Sequence, residues 1–193
     1  MRSAKPTTIR LIAAILVAGF IIQSDALSAE DSTALELKVK AAFLLNFARF
    51  IEWPPASLPE AQAPIVIGVL GSDPFGPTLD NVLAGQQVRG RLLEVHRSRR
   101  PEDLPPCHIL FISSSMKKRI REILGKVAPS GVLTVSEVDG FTDMGGVINF
   151  TIEDRRVRFQ INQDAAERAS LKISSKLLRL AASVTPSTQG RSS

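Results

Sequence analysis

The feature that most constrains this 193-residue chain is an alternation of short apolar runs with stretches of helical spacing. Ile65–Leu70, bounded by Pro64 and Gly71, reads as a strand buried on both faces. Leu92–His96, His108–Ile112 and Val132–Val135 read as three more. Between them Thr78–Ala84 suits a short helix, and Lys117–Val127 places Ile120, Ile123, Leu124 and Val127 on one side. Strands that alternate with helices predict an α/β fold: one domain, with a mainly parallel sheet flanked by helices. The rhythm changes near Gly140. Val147–Ile152 and Val157–Ile161, joined by Glu153-Asp154-Arg155-Arg156, predict an antiparallel hairpin at the sheet edge. Asp164 is placed to cap a C-terminal helix running to about Ala182, with Ala166, Ala169, Ile173, Leu177 and Leu180 as its apolar stripe. Residues 184–193 are expected to form a disordered tail.

Upstream of the sheet, Thr33–Trp53 has the spacing of a long helix. Leu35, Val39, Ala42, Phe43, Phe47, Phe50 and Ile51 line one face, with Asp31 or Ser32 as cap. Pro54-Pro55 is expected to stop it, because proline lacks a donor and restricts the residue before it. Before this helix, Arg2, Lys5 and Arg10 accompany an apolar run, Leu11–Ile22, followed by small and polar residues. Residues 1–29 therefore read as a secretory leader, too short in its apolar part to span a bilayer. Cleavage after Ala26 and after Ala29 both fit. The resulting expectation is an exported domain over residues 30–183.

Cleavage after Ala29 leaves 164 residues, enough for one core. It removes three basic residues and one acid, lowering the formal charge from +5 to +3. So mild a charge, with no Tyr and one Trp, argues against a nucleic-acid surface. Cys107 is the only cysteine, so no internal disulfide can form. It reads as a buried thiol, or alternatively as the link of a disulfide-joined dimer.

The search for chemistry finds no phosphate loop, no nucleophile elbow and no metal spacing. The chain is expected to carry no catalytic residue, cofactor or metal, and not to be an enzyme. His96 and His108 lie in or beside strands and read as structural. The turn Gly71-Ser72-Asp73-Pro74-Phe75-Gly76 lies between a strand and a helix, where α/β folds place ligands. Ser72 and Asp73 are therefore the candidate ligand turn, although the prolines reduce its donors. Ser113–Ser115 reads as an N-cap. Three basic groups stand out: Arg97/Arg99/Arg100, Lys117/Lys118/Arg119/Arg121 and Arg155/Arg156/Arg158. The last is the candidate basic patch for a partner.

The stretch from Val39 to Pro54, with Phe43, Asn46, Phe47, Phe50, Trp53 and Pro54, resembles the opening of the YfiR-like family of periplasmic proteins. So do the run from Ile67 to Gly76, with Gly71, Pro74, Phe75 and Gly76, and the Cys107–Ile112 strand. Gly145-Gly146-Val147-Ile148-Asn149-Phe150 and the closing Ile161-Asn162 complete the ordered set. The resemblance implies a compact α/β domain that represses an inner-membrane diguanylate cyclase by binding its periplasmic sensor domain. The implied output is cyclic-di-GMP and biofilm control. It also implies a peptidoglycan-associated outer-membrane lipoprotein that sequesters the repressor. A homodimer and a small-molecule-binding module without a cyclase partner remain open. The best-known member carries disulfides, which Cys107 alone cannot form. Read from the residues, Phe43, Phe47 and Phe50 are expected in the core, and Phe50→Ala is expected to cost about 3–5 kcal/mol. Asn46 is expected to bond to the loop after Pro54, Trp53 to pin that loop, and Gly145-Gly146 to serve a bend or bulge.

Overall fold

The computed structural model describes residues 31–58, 62–127 and 130–186; the leader and residues 187–193 of the expected tail lie outside them. Among the described residues, 31–36 fall in one unit and 37–186 in another. Residues 31–50 are helical (α1). The helix stops three residues before the expected end at Trp53. Ile51–Glu52 (β1) pairs antiparallel with Lys172–Ile173, a long-range contact that overrides the local pattern. Pro54 then leads into a 3₁₀ turn, Pro55–Ser57.

Strands β2 (Ile65–Leu70), β4 (Arg91–Ser98), β5 (Ile109–Ile112) and β6 (Leu133–Ser136) are the four read from the sequence. Helix α2 (Pro77–Leu83) and a two-residue strand β3 (Gln87–Val88) separate β2 from β4. A 3₁₀ stretch, Ser114–Arg119, precedes α3 (Ile120–Val127), so the α-helix starts later than expected. The hairpin is β7 (Ile148–Glu153) and β8 (Arg156–Asn162).

The single C-terminal helix is not formed. In its place stand α4 (Gln163–Arg168), β9 (Lys172–Ile173), α5 (Ser175–Leu180) and β10 (Ser183–Thr185). Asn162, not Asp164, caps α4, its side chain accepting from the Ala165 N–H at 2.9 Å; Asp164 pairs with Arg168. Ser170 is left-handed (φ 57°), and Ser174 caps a new helix. The kinked path buries Ala166, Ala169 and Leu177 but leaves Leu180 exposed.

The main sheet runs β10-β8-β7-β6-β5-β2-β4-β3, parallel from β4 through β7. The hairpin is therefore not at the edge. β10 adds outside β8 in parallel, drawing Val184 and Thr185 out of the expected tail. Both faces of the central strands are covered. Ile67, Val69, Ile109 and Phe111 point into a core with α1, while Leu70, Leu110 and Ile112 pack against Met116, Ile120 and Ile123. This is why those strands read as unbroken apolar runs.

α1 buries Ala41, Leu44, Leu45, Phe47 and Ala48 against the sheet. The stripe is rotated from the expected one: Leu35 and Ala42 are exposed. Phe47 is fully buried, whereas Phe43 and Phe50 are half-buried at the core margin. Lys176 Nζ sits 5.1 Å from the Phe50 ring centre. Half burial lowers the expected cost of Phe50→Ala to about 2 kcal/mol, below that of a fully buried ring. Urea denaturation measures this directly, and a loss above about 4 kcal/mol would show Phe50 to be as critical as a core residue.

Candidate functional site

At the carboxyl end of β2, the Gly71–Gly76 turn is knitted into the fold. Gly71 has φ 98°, and a Cβ there would lie 2.4 Å from Ser115 Oγ and 2.6 Å from Ser113 Oγ, so only glycine fits. The Ser72 N–H donates to Ser115 Oγ at 2.9 Å, and the Phe75 N–H donates to Asp73 Oδ1 at 2.8 Å. Asp73 Oδ2 accepts from Arg97 Nε at 2.7 Å, and Arg97 also reaches Asp80 and the Gly76 carbonyl. Phe75 is buried edge-on against Phe111, with ring centres 4.8 Å apart. The Ser72 and Phe75 N–H groups and the Asp73 carboxylate are thus engaged internally, as a structural turn requires. Ser113 makes no capping bond; its hydroxyl lies 2.7 Å from Ser115 Oγ.

The three basic groups differ. Arg97 is held by Asp73 and Asp80, and Arg100 by Asp103. Arg119 and Lys126 flank Glu122 and hold its carboxyl down to about 2, Arg119 contributing most. Arg155, Arg156 and Arg158 are exposed and make no ion pair or side-chain hydrogen bond among the described residues. Asp154 (φ 50°) and Arg155 (φ 59°) both adopt left-handed backbone at the hairpin tip. That geometry suits Asn-Gly better than Asp-Arg. Glu153 lies opposite Arg156 in register, yet its carboxylate accepts from Thr151 Oγ1.

At the opposite, amino end of β2 stands His108. Its Nδ1 accepts from the Val66 N–H at 3.0 Å, and its Nε2 lies 2.8 Å from the Ser57 carbonyl oxygen. Trp53, buried, donates from Nε1 to the His108 carbonyl at 3.1 Å. Trp53 therefore anchors the chain to the start of β5, while His108 and Arg91 hold the loop after Pro54. Asn46 is half-buried and makes no bond to that loop among the described residues. His96 is half-exposed in β4, its Nε2 3.6 Å from Glu94. Asp73 and His108 sit at opposite ends of β2, so with His96 they do not converge on one cleft. Among the described residues no group of three or more His, Cys, Asp or Glu side chains could hold a metal ion.

Cys107 packs beside Leu104 next to Gly68; burial pushes its thiol up to about 11, against a backbone hydrogen bond at Gly68. A protonated thiol is a poor nucleophile. Gly145 (φ 100°) and Gly146 close a turn in which Gly146 N–H donates to Phe141 O at 3.0 Å. A Cβ at Gly146 would lie 2.1 Å from the buried Phe141 ring. Asn149 is buried, with no partner for its Oδ1 among the described residues, and Phe150 packs its ring 5.8 Å from that of Phe47.

An ion pair not anticipated from the sequence joins Lys40 and Glu137 at 2.8 Å, with Lys40 only 4% exposed. The pair closes one side of a cavity of about 610 Å³ lined also by Ser114, Asp139 and Ile152. The available signal was Lys40 itself, set between Leu37 and Leu44 on the apolar stripe.

Two solved structures resemble this fold weakly. A conserved domain protein from Vibrio cholerae O1 biovar El Tor strain N16961 aligns at 12% identity and TM-score 0.47, covering 68% of this chain and 57% of the other. The ABC domain in complex with L-Trp from Streptococcus pneumonia aligns at 12% identity and TM-score 0.47, covering 62% and 55%. This chain thus spans little more than half of either. The YfiR/HmsC-like domain family matches residues 37–182, from the buried part of α1 to the residue before β10. This chain belongs to the YfiR/HmsC-like family.

Proposed function

We propose that this protein is a periplasmic regulatory binding protein that represses an inner-membrane diguanylate cyclase through the cyclase's periplasmic sensor domain. Cyclic-di-GMP signalling and biofilm formation are the outputs. The observation that carries this reading is the family match over residues 37–182, because YfiR/HmsC-like proteins are periplasmic and regulate diguanylate cyclases. The leader read over residues 1–29 supports the location, and no helix of the described residues is long and apolar enough to cross a membrane. For the contact we assign Arg155, Arg156 and Arg158, since unpaired guanidinium groups at a hairpin tip meet an acidic surface without first breaking internal pairs. A peptidoglycan-associated outer-membrane lipoprotein and a second copy of the chain are the further partners of this reading.

The test is genetic and chemical. Deleting the protein raises cellular cyclic-di-GMP and biofilm; restoring it with all three arginines changed to glutamate leaves both high, although the variant melts like the wild type. If deletion leaves cyclic-di-GMP unchanged, repression is the wrong activity.

A second reading, a small-molecule-binding module, is favoured by a cavity of about 540 Å³ walled by Leu104, Cys107, Leu110, Ile123 and Val127. Its size and apolar lining suit a small ligand. Any ligand of the native state must raise the melting temperature. A metabolite screen without stabilisation would remove this reading.

A further inference from the structure

We propose that His108 is an acid-sensitive latch: in neutral solution its ring ties the turn after Pro54 to the sheet at Ser57, and protonation at Nδ1 breaks that tie. This goes beyond the regulatory reading and does not depend on it.

The geometry fixes one neutral tautomer. Nδ1 faces the Val66 N–H at 3.0 Å and must accept; Nε2 faces the Ser57 carbonyl at 2.8 Å and must donate. Only the Nε2–H form satisfies both. A proton added at Nδ1 points at another donor, so the charged ring cannot keep its bond to β2. The histidine backbone cannot shift to relieve this. Its N–H donates to Val66 O at 2.9 Å, and its carbonyl accepts from Leu133 N–H at 2.8 Å and from Trp53 Nε1 at 3.1 Å. The ring must therefore turn away, and its bond to Ser57 is lost with it.

The surroundings favour the neutral form. Burial lowers the His108 pKa below the ordinary 6.5, the Ser57 bond opposes this, and the Arg91 charge lowers it further. From β4, Arg91 faces the same segment and donates to Ala63 O at 2.7 Å. From the residue before His108, Cys107 presents a protonated thiol. The turn at Ser57 and the residues Ser130, Gly131 and Ser170 bring no charge, and among the described residues no carboxylate lines the cavity of about 510 Å³ beside the ring. A folded-state pKa below the unfolded one gives stability that is complete above about 6.5 and is lost as pH falls through the folded value. Ser57, freed from the ring, lies in the turn that follows Trp53 and Pro54, with Arg91 still bound to Leu58 O, so acid acts on the junction of the family-matching helix with the sheet.

The experiment is an NMR titration of the ¹⁵N-labelled protein, as its cells process it, from pH 8 to pH 4. The chain has two histidines, so the ring signals are assigned by His96→Gln. Three results are expected: an Nε2–H tautomer for His108 at pH 8, a ring midpoint below 6.5, and Val66 and Ser57 amide signals moving with that same midpoint. His108→Asn keeps an acceptor near Nδ1 and cannot charge, so it should lose at least half of the acid-dependent fall in melting temperature between pH 7.5 and pH 5. The latch is overturned if His108 titrates at or above 6.5, or if its ring charges while Val66 and Ser57 stay unmoved. Should the asparagine variant not fold, the wild-type titration still decides.

Discussion

Phe47→Ala is expected to destabilise the domain by about 3–5 kcal/mol. The ring is fully buried and lies at the centre of a four-ring cluster. Its centroid is 6.1 Å from Phe43, 5.8 Å from Phe150 and 5.3 Å from Phe159. Removing it therefore loses the transfer of a whole aromatic side chain and leaves a cavity between α1, β7 and β8. Those neighbours are fixed by helix and sheet hydrogen bonds and cannot collapse far into it. Edge-to-face contacts with Phe159 add to the loss. Urea denaturation followed by the fluorescence of Trp53, the single tryptophan, gives the number. A loss below about 1 kcal/mol would mean that α1 does not pack on the sheet through this face.

Lys40→Met comes next, with an expected cost of about 3 kcal/mol. Lys40 is 4% exposed and its ammonium lies 2.8 Å from Glu137, whose side chain is 23% exposed. Removing the cation strands a largely desolvated carboxylate, which is the expensive way to break such a pair. Replacing both partners should cost much less, because the desolvation of each charge is then avoided. The double variant Lys40→Met/Glu137→Leu is expected to recover at least half of the single loss. A double-mutant cycle measures the coupling, expected above about 1 kcal/mol. Additive effects would show that the two groups do not interact in solution.

Both residues illustrate what could be read before the fold was known. Strands β2 and β5 were legible because burial on both faces makes them continuous apolar runs. The hairpin was legible as paired β-rich segments, but its place was not, since β10 reaches β8 by a long-range pairing that no local pattern announces. The C-terminal segment misled for a related reason. Ala166, Ala169, Ile173, Leu177 and Leu180 keep helical spacing, yet Ser170 adopts a left-handed turn and Ser174 offers a second cap, so the chain breaks into two short helices around β9. Gly71 was read as part of a turn and Gly145-Gly146 as a bend or bulge, whereas the close approaches, Gly71 to two serine hydroxyls and Gly146 to Phe141, needed coordinates. The partners of Asp73 and Lys40 stayed hidden, because Arg97 and Glu137 lie 24 and 97 residues away. His108 read as structural, and its bonds are indeed made within the fold; the tautomer they impose needed coordinates.

The most direct test of the central claim is binding in a purified system. The domain from Glu30 onward is mixed with the periplasmic region of each candidate membrane cyclase of its host, and the affinity is measured by calorimetry at two salt concentrations. A specific complex with one of them is expected. Added salt should weaken it, and Arg155→Glu/Arg156→Glu/Arg158→Glu should weaken it at least tenfold with the melting temperature unchanged. A folded domain that binds none of the candidates would contradict the repressor reading and turn attention to the apolar cavity beside Leu104.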